Sequence, residues 1–148
     1  MKYLLDTCVL SEAFKKNPDK HVLEWIDSRE ENRLYLSVLT LAEIEKGIIK
    51  CQEPVRQEKL RTWLESDLME RFKHRILPID LGVAIAWGRI QAESEKKGTP
   101  MPVIDGLIAV TGLVNDCTVV TRNTGDMRMS QVQLYNPWED TAPFCGVN

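Results

Sequence analysis

The stretch YLLDTCVLSE, Tyr3 to Glu12, packs an apolar triplet against Asp6 and returns at once to apolar sequence. Such a short run, ending at a carboxylate, reads as a buried strand that stops where the chain turns. An ionised carboxylate is costly to bury without compensation. Asp6 therefore either caps a turn or serves a site.

Working outward, four more short apolar runs recur, at 34–38, 76–79, 118–121 and 132–135, the last as an edge strand. Helical patterns separate them, and this alternation predicts an α/β fold with a mostly parallel sheet. Asn17 followed by Pro18 reads as the start of one helix, with Val22, Trp25 and Ile26 at helical spacing. Thr40 opens a second, with Leu41, Ile44 and Ile48 on one face. Pro54 begins a long charged helix whose apolar stripe is Leu60, Trp63, Leu64 and Leu68. Asp80 caps another, with Ala84, Trp87 and Ile90 facing inward and Gly98 near its stop. The segment GTPMP, 98–102, is a stiff turn, because the apolar helical pattern resumes directly after Pro102.

The chain has 148 residues, 43% of them hydrophobic, enough for one full core and too few for two. One domain over 1–140 with a tail at 141–148 is the expected organisation. Lys and Arg number 19 against 22 Asp and Glu, a net charge of -3, so nucleic acid is not attracted by the chain as a whole. Any polyanion must be held by local patches or by metal ions. Cys8, Cys51, Cys117 and Cys145 form no CxxC pair, and His21 and His74 are the only histidines. A structural zinc site is not expected, and reduced thiols are. The longest apolar-rich stretch, 106–114, is too short to span a bilayer. A soluble cytoplasmic protein with no membrane partner is the expectation.

Four acidic residues fall at element boundaries. Asp6 ends the first strand, Glu43 stands in SVLTLAEIEKG, Asp105 in PVIDGLIAVTG and Asp126 in VVTRNTGDM. Each has a plain explanation: Thr40-x-x-Glu43 spells a capping box, an aspartate suits a helix's first turn, and Asp126 lies among turn formers. Their joint placement says more. In an open parallel sheet, ligands bind beyond the carboxyl ends of the strands, where strand order reverses. Converging carboxylates repel one another, and a divalent cation relieves that conflict. Oxygen ligands favour Mg²⁺ or Mn²⁺, ions that assist phosphodiester cleavage.

At these residues the chain resembles the PIN-domain ribonucleases and, within them, the VapC-type toxins of bacterial toxin–antitoxin pairs. The resemblance is carried by LLDTCVLSE, LSVLTLAEIEKG, MPVIDGLIAVTG, VVTRNTGDM and NPWE, in order across residues 2 to about 139. It implies a three-layer α/β/α sandwich and a Mg²⁺- or Mn²⁺-dependent endoribonuclease acting on RNA. It also implies a homodimer neutralised by a cognate antitoxin. By position, Asp6, Glu43 and Asp105 match the family's acidic residues, with Asp6 and Asp105 as metal ligands. Asp126 fits the fourth acid, and Asn123 occupies a position that is acidic in some relatives; both stay open. Thr7, Ser37 and Thr121 match hydroxyls that hold a carboxylate or a water, although Ser37 reads first as a cap. Arg122 joins Lys15, Lys16 and Arg128 as rim cations, with Arg71, Lys73 and Arg75 as a second patch.

The chain departs from the family pattern at Cys8, where asparagine is common, and at Met127, where an aromatic is. Cys8 has no histidine nearby in sequence and reads as a small buried residue. An antitoxin segment would meet the early helices around Phe14, Trp25 and Ile26. Two other function classes remain: a metal-dependent phosphatase or phospho-acceptor built on Asp6, and a silent interaction module of the same fold. Haloacid-dehalogenase-like enzymes want a second aspartate where Cys8 stands, and receiver domains want an early acidic pair.

Overall fold

A computed structural model describes residues 1–139; the expected tail at 141–148, with Cys145, lies outside them. Among the described residues the strands are β1 (Lys2–Leu5), β2 (Leu34–Ser37), β3 (Ile76–Leu77), β4 (Cys117–Val120) and β5 (Leu134–Tyr135). They form one sheet in the order β3-β2-β1-β4-β5, and every pairing is parallel, with Tyr3 opposite Leu34 and Leu5 opposite Val120. The chain moves outward from β1 through β2 to β3, then returns to the other side of β1 for β4. Strand order therefore reverses between β1 and β4.

Side chains of β1 alternate between two cores, as the two-residue period of a strand requires. Tyr3 and Leu5 join Leu34, Leu36, Ile44, Leu64, Leu68 and Phe72 on one face. Leu4 joins Ile108, Ala109, Val119 and Met127 on the other. The helices are α1 (Thr7–Ser11), α2 (Lys20–Ser28), α3 (Val38–Lys50), α4 (Pro54–Thr62), α5 (Met69–Arg71), α6 (Leu81–Lys96), α7 (Val103–Val114) and α8 (Thr124–Met127). A wider turn over Trp63–Leu68 joins α4 to α5. Helix α7 lies so close on β4 that a Cβ at Gly112 would stand 2.5 Å from Val119 Cγ2. No described helix is long and apolar enough to cross a membrane.

Several starts differ from expectation, each for a hydrogen-bonding reason. Helix α2 begins at Lys20 because the Asp19 carboxylate, not Asn17, accepts the His21 and Val22 amides at 2.9 and 3.4 Å. Helix α3 begins at Val38, cutting β2 short, because Ser37 Oγ accepts the Leu39 amide at 3.1 Å. Thr40 therefore lies inside the helix, and the Thr40–Glu43 capping box does not form. In α6, Asp80 caps as expected by accepting the Val83 amide at 2.9 Å, but Ala84 is exposed and Val83, Gln91 and Ser94 are buried. Gln91 is inward because its amide brackets Met101, donating to the carbonyl at 2.9 Å and accepting from the amide at 3.2 Å. This pair ties down the GTPMP turn. Gly98, at φ 74, ends α6 in the left-handed region that glycine enters without strain.

Candidate functional site

Asp6 follows β1 and is only 3% exposed. Its carboxylate is compensated on both oxygens. Oδ1 accepts the Thr7 amide at 2.8 Å, and Oδ2 accepts the Thr121 hydroxyl at 2.7 Å with the Cys8 thiol 3.7 Å away. Thr121 follows β4, so the Thr121–Asp6 bond closes the crevice where strand order reverses, the position that an open parallel sheet offers to ligands. Asp6 is thus the N-cap of α1 and stands at the strand-order reversal.

Freed from capping, Glu43 projects from the second turn of α3 and accepts the Thr7 hydroxyl at 2.6 Å. Asp105 lies in the first turn of α7. Its carboxyl is pushed up to about 6, first by burial, then by the negative charges of Asp6, Asp126 and Glu43 and by a hydrogen bond with Asp126. Asp105 thus lies within the electrostatic reach of three acids from three other parts of the chain. Asp126 reaches it from α8, whereas Asn123 shapes the loop: its amide donates to Thr121 Oγ1 at 2.9 Å.

Among the described residues, no three His, Cys, Asp or Glu side chains stand close enough to form a ready-made cage for a metal ion. The convergence is looser than that. It suits a hard ion held by one or two carboxylates and completed by water, the habit of Mg²⁺, and the donors are oxygen throughout. The Cys8 thiol is pushed up by burial and by the Asp6 charge, so it stays protonated and takes no nucleophilic part.

Of the cations named from sequence, Arg122 stacks 4.1 Å over the Trp138 ring and lies 4.0 Å from Glu12. Lys15 pairs with the same Glu12 at 3.0 Å. The second patch is spoken for: Arg71 and Arg75 both pair with Glu31 and cover the Phe72 ring. Trp25, expected at a partner surface, is core, set edge-on to Tyr3 and stacked on Tyr135. Phe14 instead packs on Trp63 at 4.4 Å, and both side chains line two grooves of ≈ 610 and ≈ 330 Å³. The second groove includes Thr7, Lys15 and Glu43 and so opens onto the acidic site. Sequence reasoning missed Glu12 and Trp138; their letters stand within LLDTCVLSE and NPWE, but their meeting with Arg122 is visible only in three dimensions.

The strand-order reversal thus has acids delivered to the carboxyl ends of the inner strands from the end of β1, α3, α7 and α8. The family model described as PIN domain matches residues 3–132, and the chain belongs to that family. It is 39% identical to Plasmid stability protein StbB of Pseudomonas syringae pv. tomato, over 92% of this chain and 98% of that one. It is 35% identical to Toxin FitB of Neisseria gonorrhoeae, over 93% and 99%, and 33% identical to VapC ribonuclease Y4jK of Sinorhizobium fredii, over 92% and 97%. The crystal structure of FitAcB from Neisseria gonorrhoeae superposes with a TM-score of 0.89 at 34% identity, covering 93% of this chain and 99% of that chain.

Proposed function

We propose that the chain is a divalent-metal-dependent endoribonuclease and the toxin of a toxin–antitoxin pair, working in the cytoplasm. The observation that carries this is the placement of buried Asp6, held by Thr121 at the strand-order reversal, with Glu43 tied to the neighbouring Thr7 and Asp105 within reach of the Asp6, Asp126 and Glu43 charges. The ribonuclease named among its relatives supports the same reading.

Asp6 and Asp105 would hold Mg²⁺ or Mn²⁺, with Asp126 beside Asp105. Bound there, the ion supplies Lewis-acid stabilisation of the charge developing on a phosphodiester. Thr121 and the Thr7 amide orient Asp6, so its carboxylate does not have to reorganise when substrate arrives. Thr7 also aims Glu43, to which we assign acceptance of the attacking water's proton. Both threonines position a carboxylate.

The test is cleavage of RNA by purified protein with Mg²⁺ and with chelator. Cleavage that needs the ion and disappears in Asp6→Asn supports the reading, whereas cleavage by Asp6→Asn at the wild-type rate overturns it. Accumulation of an acyl-phosphate instead would favour a phosphatase, and folded wild-type protein that never cuts RNA would favour a silent interaction module.

An antitoxin is the second part of this reading, supported by a relative named as a toxin and by the solved FitAB structure. Its place is the apolar groove at Phe14 and Trp63, where an amphipathic helix finds a matching surface. A homodimer completes it. Leu81, Ile85, Val103 and Ile104 are exposed at the starts of α6 and α7 and offer the apolar area an interface needs; sedimentation velocity on the isolated chain measures it.

A further inference from the structure

Glu12 begins a 3-10 turn, Glu12–Phe14, after α1 and is 2% exposed. A carboxylate so deeply buried is costly unless its partners hold it ionised. One oxygen, Oε2, accepts the Asp19 amide at 2.8 Å. The other, Oε1, faces Lys15 Nζ at 3.0 Å and Arg122 Nη2 at 4.0 Å, yet among the described residues it accepts no well-aligned hydrogen bond. Burial pushes the Glu12 carboxyl up, but the Asp19 amide, Lys15 and Arg122 together bring it below the ordinary carboxylate range. Glu12 thus stays charged.

Lys15 and the Asp19 amide are near neighbours of Glu12 in the chain, whereas Arg122 comes from the far side of the sequence. Arg122 directly follows Thr121, whose hydroxyl holds Asp6. Its guanidinium is pinned from the other side by the Trp138 ring at 4.1 Å, and the Trp138 backbone is itself fixed by donation to Asn136 Oδ1 at 2.9 Å. Lys15 lines the groove that contains Thr7 and Glu43. Both cations therefore flank the acidic crevice, and both remain about half exposed. Two cations share one anion, which leaves a local positive charge beside a negative cluster in a chain of net charge -3. Packing alone asks only for an aliphatic residue at position 12. What a buried charge adds is direction: a guanidinium stacked on a ring and drawn toward a fixed anion keeps its fork near one place, where a phosphate meets it with less further ordering.

We propose that Glu12 is a positioning residue which, with the Trp138 ring, holds Arg122 and Lys15 as a paired contact for RNA backbone phosphates beside the acidic crevice. The assignment rests on the nuclease reading above for its substrate, but not for its binding arm. Loose alignment at Oε1 leaves donor N–H groups of both cations free to turn toward phosphate.

The experiment measures binding of a single-stranded RNA oligonucleotide in EDTA across a range of salt, and single-turnover cleavage of the same RNA in Mg²⁺. Arg122→Gln and Lys15→Gln should each flatten the slope of log affinity against log salt by about 0.7, the value for one phosphate contact on a single strand. Glu12→Gln should keep or steepen that slope, since both cations remain, while slowing cleavage about tenfold or more because they are no longer aimed. Arg122→Lys should keep the slope and cleave as slowly as Glu12→Gln, because an ammonium has no planar face to stack. An unchanged slope in Arg122→Gln, or wild-type cleavage by Glu12→Gln, overturns the proposal. Wild-type protein that fails to cleave would sink the nuclease reading and leave the salt slopes to decide the clamp. Should Glu12→Gln lose cooperative unfolding, the Arg122 and Lys15 variants decide it.

Discussion

Replacing Asp105 with asparagine should stabilise the metal-free protein at neutral pH while removing its activity. The Asp105 carboxyl is raised from 3.8 to about 6, first by burial and then by Asp6, Asp126 and Glu43. A raised folded-state value means the folded chain binds the proton more tightly than the unfolded chain does. The associated stability is complete below about pH 4 and is lost as pH rises through about 6. Near pH 7.5 the ionised group therefore opposes folding. At about 1.4 kcal/mol per pH unit the ceiling is about 3 kcal/mol. Asp105 is only partly buried, and solvent screening brings the realistic figure to about 1 kcal/mol. For a domain of 148 residues that is a rise in Tm of about 2–4 °C. Thermal unfolding in EDTA should show Asp105→Asn melting above wild type near pH 7.5, with the gap closing toward about pH 5. Excess Mg²⁺ should reverse the order, because only wild type gains from binding the ion. An asparagine variant that melts below wild type in EDTA near neutrality, or a gap independent of pH, would refute the reasoning.

Thr121→Val removes the hydroxyl that donates to Asp6 and accepts from the Asn123 amide; a bond to a buried charge is worth about 2 kcal/mol, and denaturant unfolding should show that loss, where a change under about 0.5 kcal/mol would contradict it. Gly112→Ala gains about 1 kcal/mol of helix propensity, but its Cβ would meet Val119 Cγ2 at 2.5 Å. Overpacking at about 1–3 kcal/mol wins, so the variant should unfold at lower denaturant than wild type. Arg71→Ala frees Glu31, whose carboxyl Arg71 and then Arg75 hold below the ordinary range against the effect of burial. The stability from that pairing is present above about pH 4.5 and lost in acid, so the variant should differ from wild type near neutrality and converge with it at low pH in a pH-resolved melt.

The sheet was legible because strands buried on both faces must be short and apolar, and all five runs became parallel strands. The boundaries were less so. Whether Ser37 or Thr40 caps α3, and whether Asn17 or Asp19 caps α2, depends on which side-chain oxygen reaches an amide, and the letters allow either. Gln91 looks exposed by composition and is buried because a turn ten residues on needs both ends of its amide. For the site, the ordered motifs pointed to Asp6, Glu43, Asp105 and Asp126; in the structure Thr121 bonds Asp6, Thr7 bonds Glu43, and the charges of Asp6, Asp126 and Glu43 help raise the Asp105 carboxyl. Reading Glu43 as a cap was wrong for the same reason that its role at the site emerged: Ser37 already closes the helix, leaving Glu43 to meet Thr7. Glu12 was invisible from sequence because Arg122, and the Trp138 ring that stacks on Arg122, are more than a hundred residues away from it.

The most direct test is titration of Mn²⁺ into the metal-free protein, followed by calorimetry, for wild type, Asp6→Asn, Asp105→Asn and the remote acid variant Glu58→Gln. Saturable binding by wild type and Glu58→Gln, lost in both crevice variants, is the expected result. Equal binding by wild type and Asp6→Asn would contradict a shared ion at the end of β1.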